Sequence, residues 1–165
     1  MEREGKGPEV VRLLREPGKL LDAWSQAYSL KEYQVHGYYA WSQSFPRLRT
    51  GVGAVLDEME IPYALTLSSG AELSAPFATR VETLSLILPK EAPIENIAER
   101  AKLKPVEEGA NVLLFLASGK SPLLCRRKVE DVWVASDIQL YLDLFASPAR
   151  GKEQAMHLRR EHLSF

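Results

Sequence analysis

The chain is poor in the residues that build disulfides and metal sites. Its single cysteine, Cys125, excludes an intramolecular disulfide. It lies in an apolar stretch with no histidine nearby, which favours a small buried side chain over an activated thiolate. The three histidines, His36, His157 and His162, form no cluster with cysteine and lack the spacing of zinc ligands. The sequence therefore predicts no metal ion and no cofactor.

Long apolar runs and a charge of one sign are also missing. No stretch reaches the roughly 18 apolar residues of a membrane span, and no apolar core follows the charged N-terminus, so we expect a cytoplasmic protein that does not bind a membrane. Lys and Arg (21) nearly balance Asp and Glu (22), which leaves no surplus to wrap a polyanion. Glycine-rich phosphate loops and a nucleophile elbow are absent too, so NTP hydrolysis and dinucleotide binding have no support.

Hydrophobic periodicity predicts an α+β domain with a mixed β-sheet that helices cover mainly on one side. Helices are expected from Pro17, from about Ser44, from Pro93 and, as a pair, at the end of the chain. Strands are expected within 33–41, 61–67, 80–88, 103–117 and 122–136, the last as a hairpin around Arg127 and Lys128. We predict that 1–16 is a tail or linker and that 17–165 is one domain.

The segment 65–88, LTLSSGAELSAPFATRVETLSLIL, has the outline of a nucleotide site. A strand, a Ser-Gly turn, a short helix and a second strand follow one another, as in polymerase-type nucleotidyltransferases. A phosphate or a partner could contact the candidate residues of this region, which are Ser68, Ser69, Gly70, Thr79 and Arg80. The plainer alternative is an ordinary strand-helix-strand core in which Ser68 or Ser69 caps the helix.

The acids that would hold Mg²⁺ in such a site are missing from the second strand. Two carboxylates at alternating positions point to the same side of a strand and can share a metal ion. The alternating positions here are Leu84 and Leu86 or, one residue earlier, Thr83 and Ser85. We therefore predict that the chain is not an enzyme. The alternative is a nucleotidyltransferase-like enzyme with displaced acids, for which the candidates are Asp57, Glu72 and Glu82.

Basic residues form two small groups in the last third of the chain. The first group is expected to lie at a hairpin tip and the second on the exposed side of the last helix. Solvated surface is the favoured role. A nucleic-acid-binding module is the alternative, and its candidate contacts are Arg126, Arg127, Arg159 and Arg160.

The closing segment 132–163, VWVASDIQLYLDLFASPARGKEQAMHLRREHL, resembles the C-terminal signature of AbiEi-type antitoxins of type IV toxin–antitoxin systems. The matching positions are Ser136, Gln139, Leu140, Tyr141, Leu142, Asp143, Leu144, Pro148, Arg150, Gly151, Glu153 and Ala155. Asp137 stands where proline is common, and an acid also suits a helix N-terminus. The middle region, including GANVLLF, is similar to that family as well.

This resemblance implies a non-catalytic regulator with a nucleotidyltransferase-like fold and a cognate toxin as partner. The family's domain of this kind is associated with neutralising a nucleotidyltransferase-like toxin. Operator DNA would be bound only through an N-terminal winged helix, and no helix-turn-helix pattern precedes Pro17. Within the signature, we predict a structural clasp in which Gln139 and Asp143 hold Arg150, while Gly151 lets the backbone turn between the helices.

Overall fold

The computed structural model describes residues 2–4, 11–77 and 80–165. The helices are α1 (Pro17–Ala27), α2 (Phe45–Glu58), α3 (Leu67–Ser74), α4 (Ile94–Arg100), α5 (Asp137–Ala146) and α6 (Gly151–His162). The strands are β1 (Glu2–Glu4), β2 (Val11–Leu13), β3 (Gln34–Tyr39), β4 (Ala64–Leu65), β5 (Leu84–Pro89), β6 (Lys104–Pro105), β7 (Val112–Ala117), β8 (Arg127–Val129) and β9 (Val132–Val134). The predicted α+β class and the C-terminal helical pair are confirmed. Within the described residues, no helix combines the length and the hydropathy that crossing a membrane requires.

Seven strands form one mixed sheet in the order β6-β3-β7-β5-β4-β9-β8. The pairs β5–β7 and β4–β9 are parallel, and the other pairs in this sheet are antiparallel. Strand β5 lies between β7 and β4, and Leu84, Ser85, Leu86, Ile87 and Leu88 are all buried. Its predicted central position is confirmed. β1 pairs only with β2, outside this sheet, and the division into a tail and one domain stays a prediction.

Strand β5 begins at Leu84, four residues later than the periodicity predicts. Leu84 pairs with Val112, the first residue of β7, so the chain before Leu84 has no strand beside it on that side. On the other side β4 is only two residues long and pairs with Leu86 and Ile87. The alternating sequence pattern therefore includes residues 80–83, which pair with no strand among the described residues.

Two turns differ from their predicted positions. Leu67 has a left-handed φ of 52° and begins α3, so Ser68 and Ser69 lie inside the helix and neither caps it. The β8–β9 hairpin turns at Glu130 and Asp131, which both have positive φ, as a tight hairpin turn requires. Arg127 and Lys128 are consequently strand residues and do not form the hairpin tip.

The expectation for Cys125 is also wrong. Its side chain is exposed, and its φ of 56° marks a turn between a short 3-10 helix (Ser121–Leu123) and β8. The apolar stretch around it is interrupted by this turn, which directs the side chain away from the core.

Helices α5 and α6 pack closely because Gly151 has no side chain. The left-handed residue of the connection is Ala149, with a φ of 57°, and Gly151 does not need glycine's conformational freedom. A Cβ at Gly151 would instead overlap Ser147 Oγ and the carbonyl oxygen of Leu144. The glycine is required by close approach of the two helices, which differs from the predicted reason.

We expect the substitution Gly151→Ala to destabilise the fold by about 1–3 kcal/mol, because the added methyl group overpacks the α5–α6 connection. Gly51 lies on the exposed side of α2, where an added Cβ would meet no atom within 4 Å. The matched control Gly51→Ala should stabilise the chain by roughly 0.5–1 kcal/mol, since alanine is the better helix former. Urea unfolding of both variants checks the pair, and equal stability of Gly151→Ala and the parent chain would contradict the packing argument.

Candidate functional site

Two residues of the predicted nucleotide site, Ser68 and Arg80, line an open depression of about 550 Å³, here called the sheet-face groove. Its floor is formed by Thr83, Ser85, Leu113 and Phe115, and its walls by Leu67, Ser68, Leu30, Ser147 and Pro148. Ser85 pairs with Leu113 in the β5–β7 register, so alternate residues of both strands face the groove. The segment 80–82 borders this groove and also a second depression of about 360 Å³ beside Tyr39 and Trp41.

The groove has hydroxyl groups where a metal-dependent enzyme would have carboxylates. Thr83 and Ser85 are the alternating positions that line it, whereas Leu84 and Leu86 are fully buried. The sequence did not decide between these two pairs, and in the structure Thr83 and Ser85 are the pair that faces the groove. Neutral hydroxyls are poor ligands for Mg²⁺, which favours anionic oxygens. Across the described ranges, no group of three His, Cys, Asp or Glu side chains could hold a metal ion.

The three candidate displaced acids each lie beside a different cation. Glu82 lines the groove and forms an ion pair with Arg80 at 3.2 Å. Glu72 contacts the buried guanidinium of Arg49 at 3.4 Å. Asp57 lies 4.0 Å from Lys128. Of these three carboxylates, only that of Glu82 reaches the groove, so the structure does not bring them together there.

The predicted Ser-Gly turn is part of α3, and two of its three residues are used in packing. Ser69 is fully buried; its hydroxyl donates to the carbonyl of Thr66 (2.9 Å) and accepts from the backbone N–H of Ser85 (3.0 Å). Gly70 lies so close to its neighbours that a Cβ would come 2.6 Å from Leu140 and 2.7 Å from the carbonyl of Leu65. These contacts fix α3 to the sheet and leave no room for a phosphate at Ser69 or Gly70.

The remaining residues of that candidate turn lie at the rim of the groove. Ser68 reaches the groove and donates a hydrogen bond to Oε1 of Gln154 in α6, at 2.7 Å. Arg80 is exposed beside Glu82. Thr79 lies outside the described residues. A role for these residues in binding a phosphate or a partner stays a prediction.

The signature residues Gln139 and Asp143 meet in a buried polar cluster next to the groove. Asp143 is inaccessible to solvent and Gln139 is 7% exposed. Oδ1 of Asp143 accepts from the hydroxyl of Tyr28 (2.5 Å), from Nε2 of Gln139 (3.0 Å) and, more weakly, from the hydroxyl of Tyr33 (3.5 Å). Its Oδ2 accepts from Thr66. The cluster therefore joins α1, the start of β3, the β4–α3 junction and α5.

Gln139 and Asp143 of the predicted clasp hydrogen-bond each other at 3.0 Å, whereas the contacts described for Arg150 lie elsewhere. Arg150 is more than half exposed and donates to Glu153 at 3.0 Å, and its guanidinium lies 5.1 Å from the ring of Phe77. Tyr28, Tyr33 and Thr66 take the place predicted for Arg150, because a buried acceptor is satisfied more cheaply by neutral donors already in the core than by a long charged side chain.

Burial is the main influence on the ionisation of this cluster. It raises the pKa of Asp143 above its ordinary value of 3.8, and the hydrogen bonds from Thr66, Tyr28, Gln139 and Tyr33 offset this only in part. The pKa values of Tyr28 and Tyr33 are raised well above 10, first by burial and then by the nearby Asp143. Both phenols are therefore neutral donors across the physiological pH range.

Three of the four candidate basic contacts already have internal partners. Arg126 donates to the carbonyl of Tyr63 (2.7 Å) and stacks on Trp133. Arg127 bonds Ser74 and Asp137, both at 2.7 Å. Arg159 bonds Asp22 at 2.6 Å and packs on Tyr141. Arg160 is exposed. Arg126, Arg127 and Arg159 thus stabilise the fold through internal contacts, which the clustering of basic residues in the sequence did not predict.

Sequence patterns alone assign no site role to Tyr28, Tyr33 or Thr66. The helical spacing indicates Tyr28 only as a core residue of the first helix. A usable signal is present, because an aspartate inside the apolar run LYLDLF has to find donors elsewhere in the chain.

These features define a class of protein: an α+β domain with a seven-stranded mixed sheet, a C-terminal helical pair and a groove in which Thr83 and Ser85 occupy the alternating positions. The family model described as transcriptional regulator, AbiEi antitoxin, type IV toxin–antitoxin system matches residues 12–164. The chain belongs to this family of antitoxins and transcriptional regulators, which confirms the resemblance seen in the closing signature. No curated protein and no solved structure matches the chain.

We expect the substitution Asp143→Asn to change how stability depends on pH. Because the folded-state pKa of Asp143 is raised, the folded chain holds this proton more tightly than the unfolded chain. The stability that the parent chain gains from this protonated carboxyl is fully present below the pKa of the unfolded chain, near 3.8. It is lost as the pH rises through the folded-state pKa. Urea unfolding at a series of pH values from about 4 to 7 should show the variant gaining stability relative to the parent chain as the pH rises. An unchanged difference across the series would refute the assignment.

Proposed function

We propose that this chain is a non-catalytic antitoxin that neutralises a nucleotidyltransferase-like toxin by direct protein contact through the sheet-face groove. The observation that carries the proposal is the presence of Thr83 and Ser85 at the two groove positions where metal-binding acids would be needed. Membership of the antitoxin family supports the regulatory role. We accordingly propose that the protein acts on its toxin in the cytoplasm.

The surface beside the groove suits a protein partner. Tyr39 and Trp41, which line the adjoining depression, are 43% and 76% exposed. Val35 of β3 is 47% exposed and pairs with Phe115 in the groove floor. Exposed aromatic residues are enriched at protein interfaces, and the charges of Arg80 and Glu82 offset each other. A phosphate-rich ligand would find little positive charge here.

Operator recognition is proposed to belong to a winged-helix module of the kind that precedes this domain in the family. The internal bonds of Arg126, Arg127 and Arg159 support this division, since guanidinium groups that hold the fold together are less available for phosphates. The described domain would then contact the toxin while the other module contacts DNA.

We expect Tyr39→Ala and Trp41→Ala to weaken binding to a nucleotidyltransferase-type toxin encoded in the same operon. Truncation of a central interface aromatic commonly costs about 1–2 kcal/mol or more, which is roughly a five- to thirtyfold loss of affinity. Leu124 is 61% exposed and lines a different depression, so Leu124→Ala is the matched control and should bind normally. Calorimetry of each variant with the purified toxin, together with rescue of growth in cells expressing it, measures the effect. Normal binding by both aromatic variants would place the interface elsewhere.

The alternative function, nucleotidyl transfer by displaced acids, is supported only by the position of Glu82 in the groove. We expect the purified chain with Mg²⁺ or Mn²⁺ and labelled nucleoside triphosphates to transfer no label to RNA or protein. Transfer by the parent chain that disappears in Glu82→Gln would establish the enzyme and overturn the non-catalytic proposal. A parallel Glu91→Gln variant controls for the loss of a surface charge.

A further inference from the structure

A second pocket lies on the other side of the buried cluster from Thr66, at the surface between α1 and the loop after β7. Its volume is about 360 Å³. We call it the tyrosine pocket, and the lining residues that matter are Trp24, Tyr28, Glu32, Tyr33 and Gln139. The sheet-face groove and this pocket share none of their lining residues.

The NH₂ group of Gln139 faces inward, behind this pocket. Nε2 lies within hydrogen-bond distance of Oδ1 of Asp143 (3.0 Å) and of the hydroxyls of Tyr28 (2.9 Å) and Tyr33 (3.2 Å), and both hydroxyls also contact Oδ1. Thr66 contacts the other oxygen of Asp143, so Oδ1 is an acceptor whether or not the carboxyl is protonated. With the donors turned inward, the acceptor end of the Gln139 amide is left facing outward.

Oε1 of Gln139 accepts no hydrogen bond from the part of the chain that the structure describes, although the residue is only 7% exposed. The amide orientation is fixed because its NH₂ group must face Asp143. Oε1 is not among the buried atoms without a partner in the described residues, so solvent reaches it from the pocket, and a ligand with N–H donors would replace that water.

The rest of the lining favours a positive charge. Glu32 is an exposed carboxylate, and Trp24 is 45% exposed with its indole at the pocket wall. No lysine, arginine or histidine is among the described residues that line the pocket. The faces of tryptophan and tyrosine attract cations through the ring quadrupole, and Asp143 and Glu32 add to that field when ionised. An anion would meet only repulsion here.

We propose that the tyrosine pocket binds a guanidinium group, which stacks on Trp24, pairs with Glu32 and donates to Oε1 of Gln139. Guanidinium is favoured over ammonium because it is planar, stacks on aromatic rings and presents several donors in one plane. A volume of about 360 Å³ accommodates one such head group with its alkyl stem. The proposal does not depend on the function of the sheet-face groove.

The test uses ¹H–¹⁵N NMR of the full chain, following the Trp24 indole N–H and the Gln139 side-chain amide. Butylguanidinium should shift both signals saturably, whereas butylurea, its neutral analogue, should not. Butylammonium should bind more weakly. Glu32→Gln and Trp24→Ala should each lower the affinity for butylguanidinium about two- to fivefold, as exposed ion pairs and cation–π contacts do. Glu91→Gln and Trp41→Ala, outside the pocket, are the matched controls and should leave it unchanged.

Equal shifts from butylurea, tighter binding of butylammonium, or equal losses in the control variants would overturn the proposal. Two further probes separate the sources of the group. Stronger binding of acetyl-Gly-Arg-Gly-amide than of free arginine assigns the pocket to an arginine side chain of a protein partner. The reverse order assigns it to a small guanidinium compound. Toxin binding is measured separately, so failure here leaves the groove proposal standing, and failure there leaves this one standing.

Discussion

One buried carboxyl group, that of Asp143, joins α1, the β4–α3 junction and α5. It is inaccessible to solvent and accepts hydrogen bonds from Thr66, Tyr28, Gln139 and Tyr33. Burying a charge or an unpaired acceptor costs several kcal/mol, so this position is tolerable only while all of those donors stay in place. The requirement fixes α1, the β4–α3 junction and α5 relative to one another more specifically than apolar packing alone could.

The walls of the sheet-face groove are connected to the same helix. The α5–α6 connection supplies Ser147 and Pro148, and Gly151 lets α6 approach closely enough for Gln154 to accept from Ser68 at the start of α3. Ser69 then ties α3 to β5. The hydroxyl groups of Ser68 and Ser69, which a phosphate could have used at this turn, are both engaged in hydrogen bonds within the fold. The polar groups at the predicted nucleotide site thus hold the scaffold together, which is the physical basis of the protein-binding role proposed for the groove.

Much of this architecture could be predicted from the sequence because it depends on local patterns. Proline at a helix start and helical apolar stripes indicate the helices, and the apolar run of β7 indicates a strand. The absence of carboxylates from positions 83–86 is visible directly in the sequence. Hydrogen-bond partners that are distant in sequence could not be predicted in this way. Asp143 and Tyr28 are 115 residues apart, and no local rule selects Tyr28 over Arg150 as the partner of Asp143. Leu67 and Glu130 show a second limit, since both adopt a left-handed φ that their residue types do not favour, so no local rule predicts these turns.

The Asp143 cluster also connects the two surfaces of the domain. Oδ2 faces Thr66, which immediately precedes the groove residues Leu67 and Ser68, while Oδ1 faces Tyr28 and Gln139 at the tyrosine pocket. The two oxygens of a carboxyl group are held rigidly about 2 Å apart by its covalent geometry, so a shift of Thr66 must be matched by Gln139 or a hydrogen bond is lost. Losing one such bond in a buried cluster costs roughly 1–3 kcal/mol. A guanidinium group bound to Oε1 of Gln139, as proposed, would therefore act on the same amide that donates to Asp143.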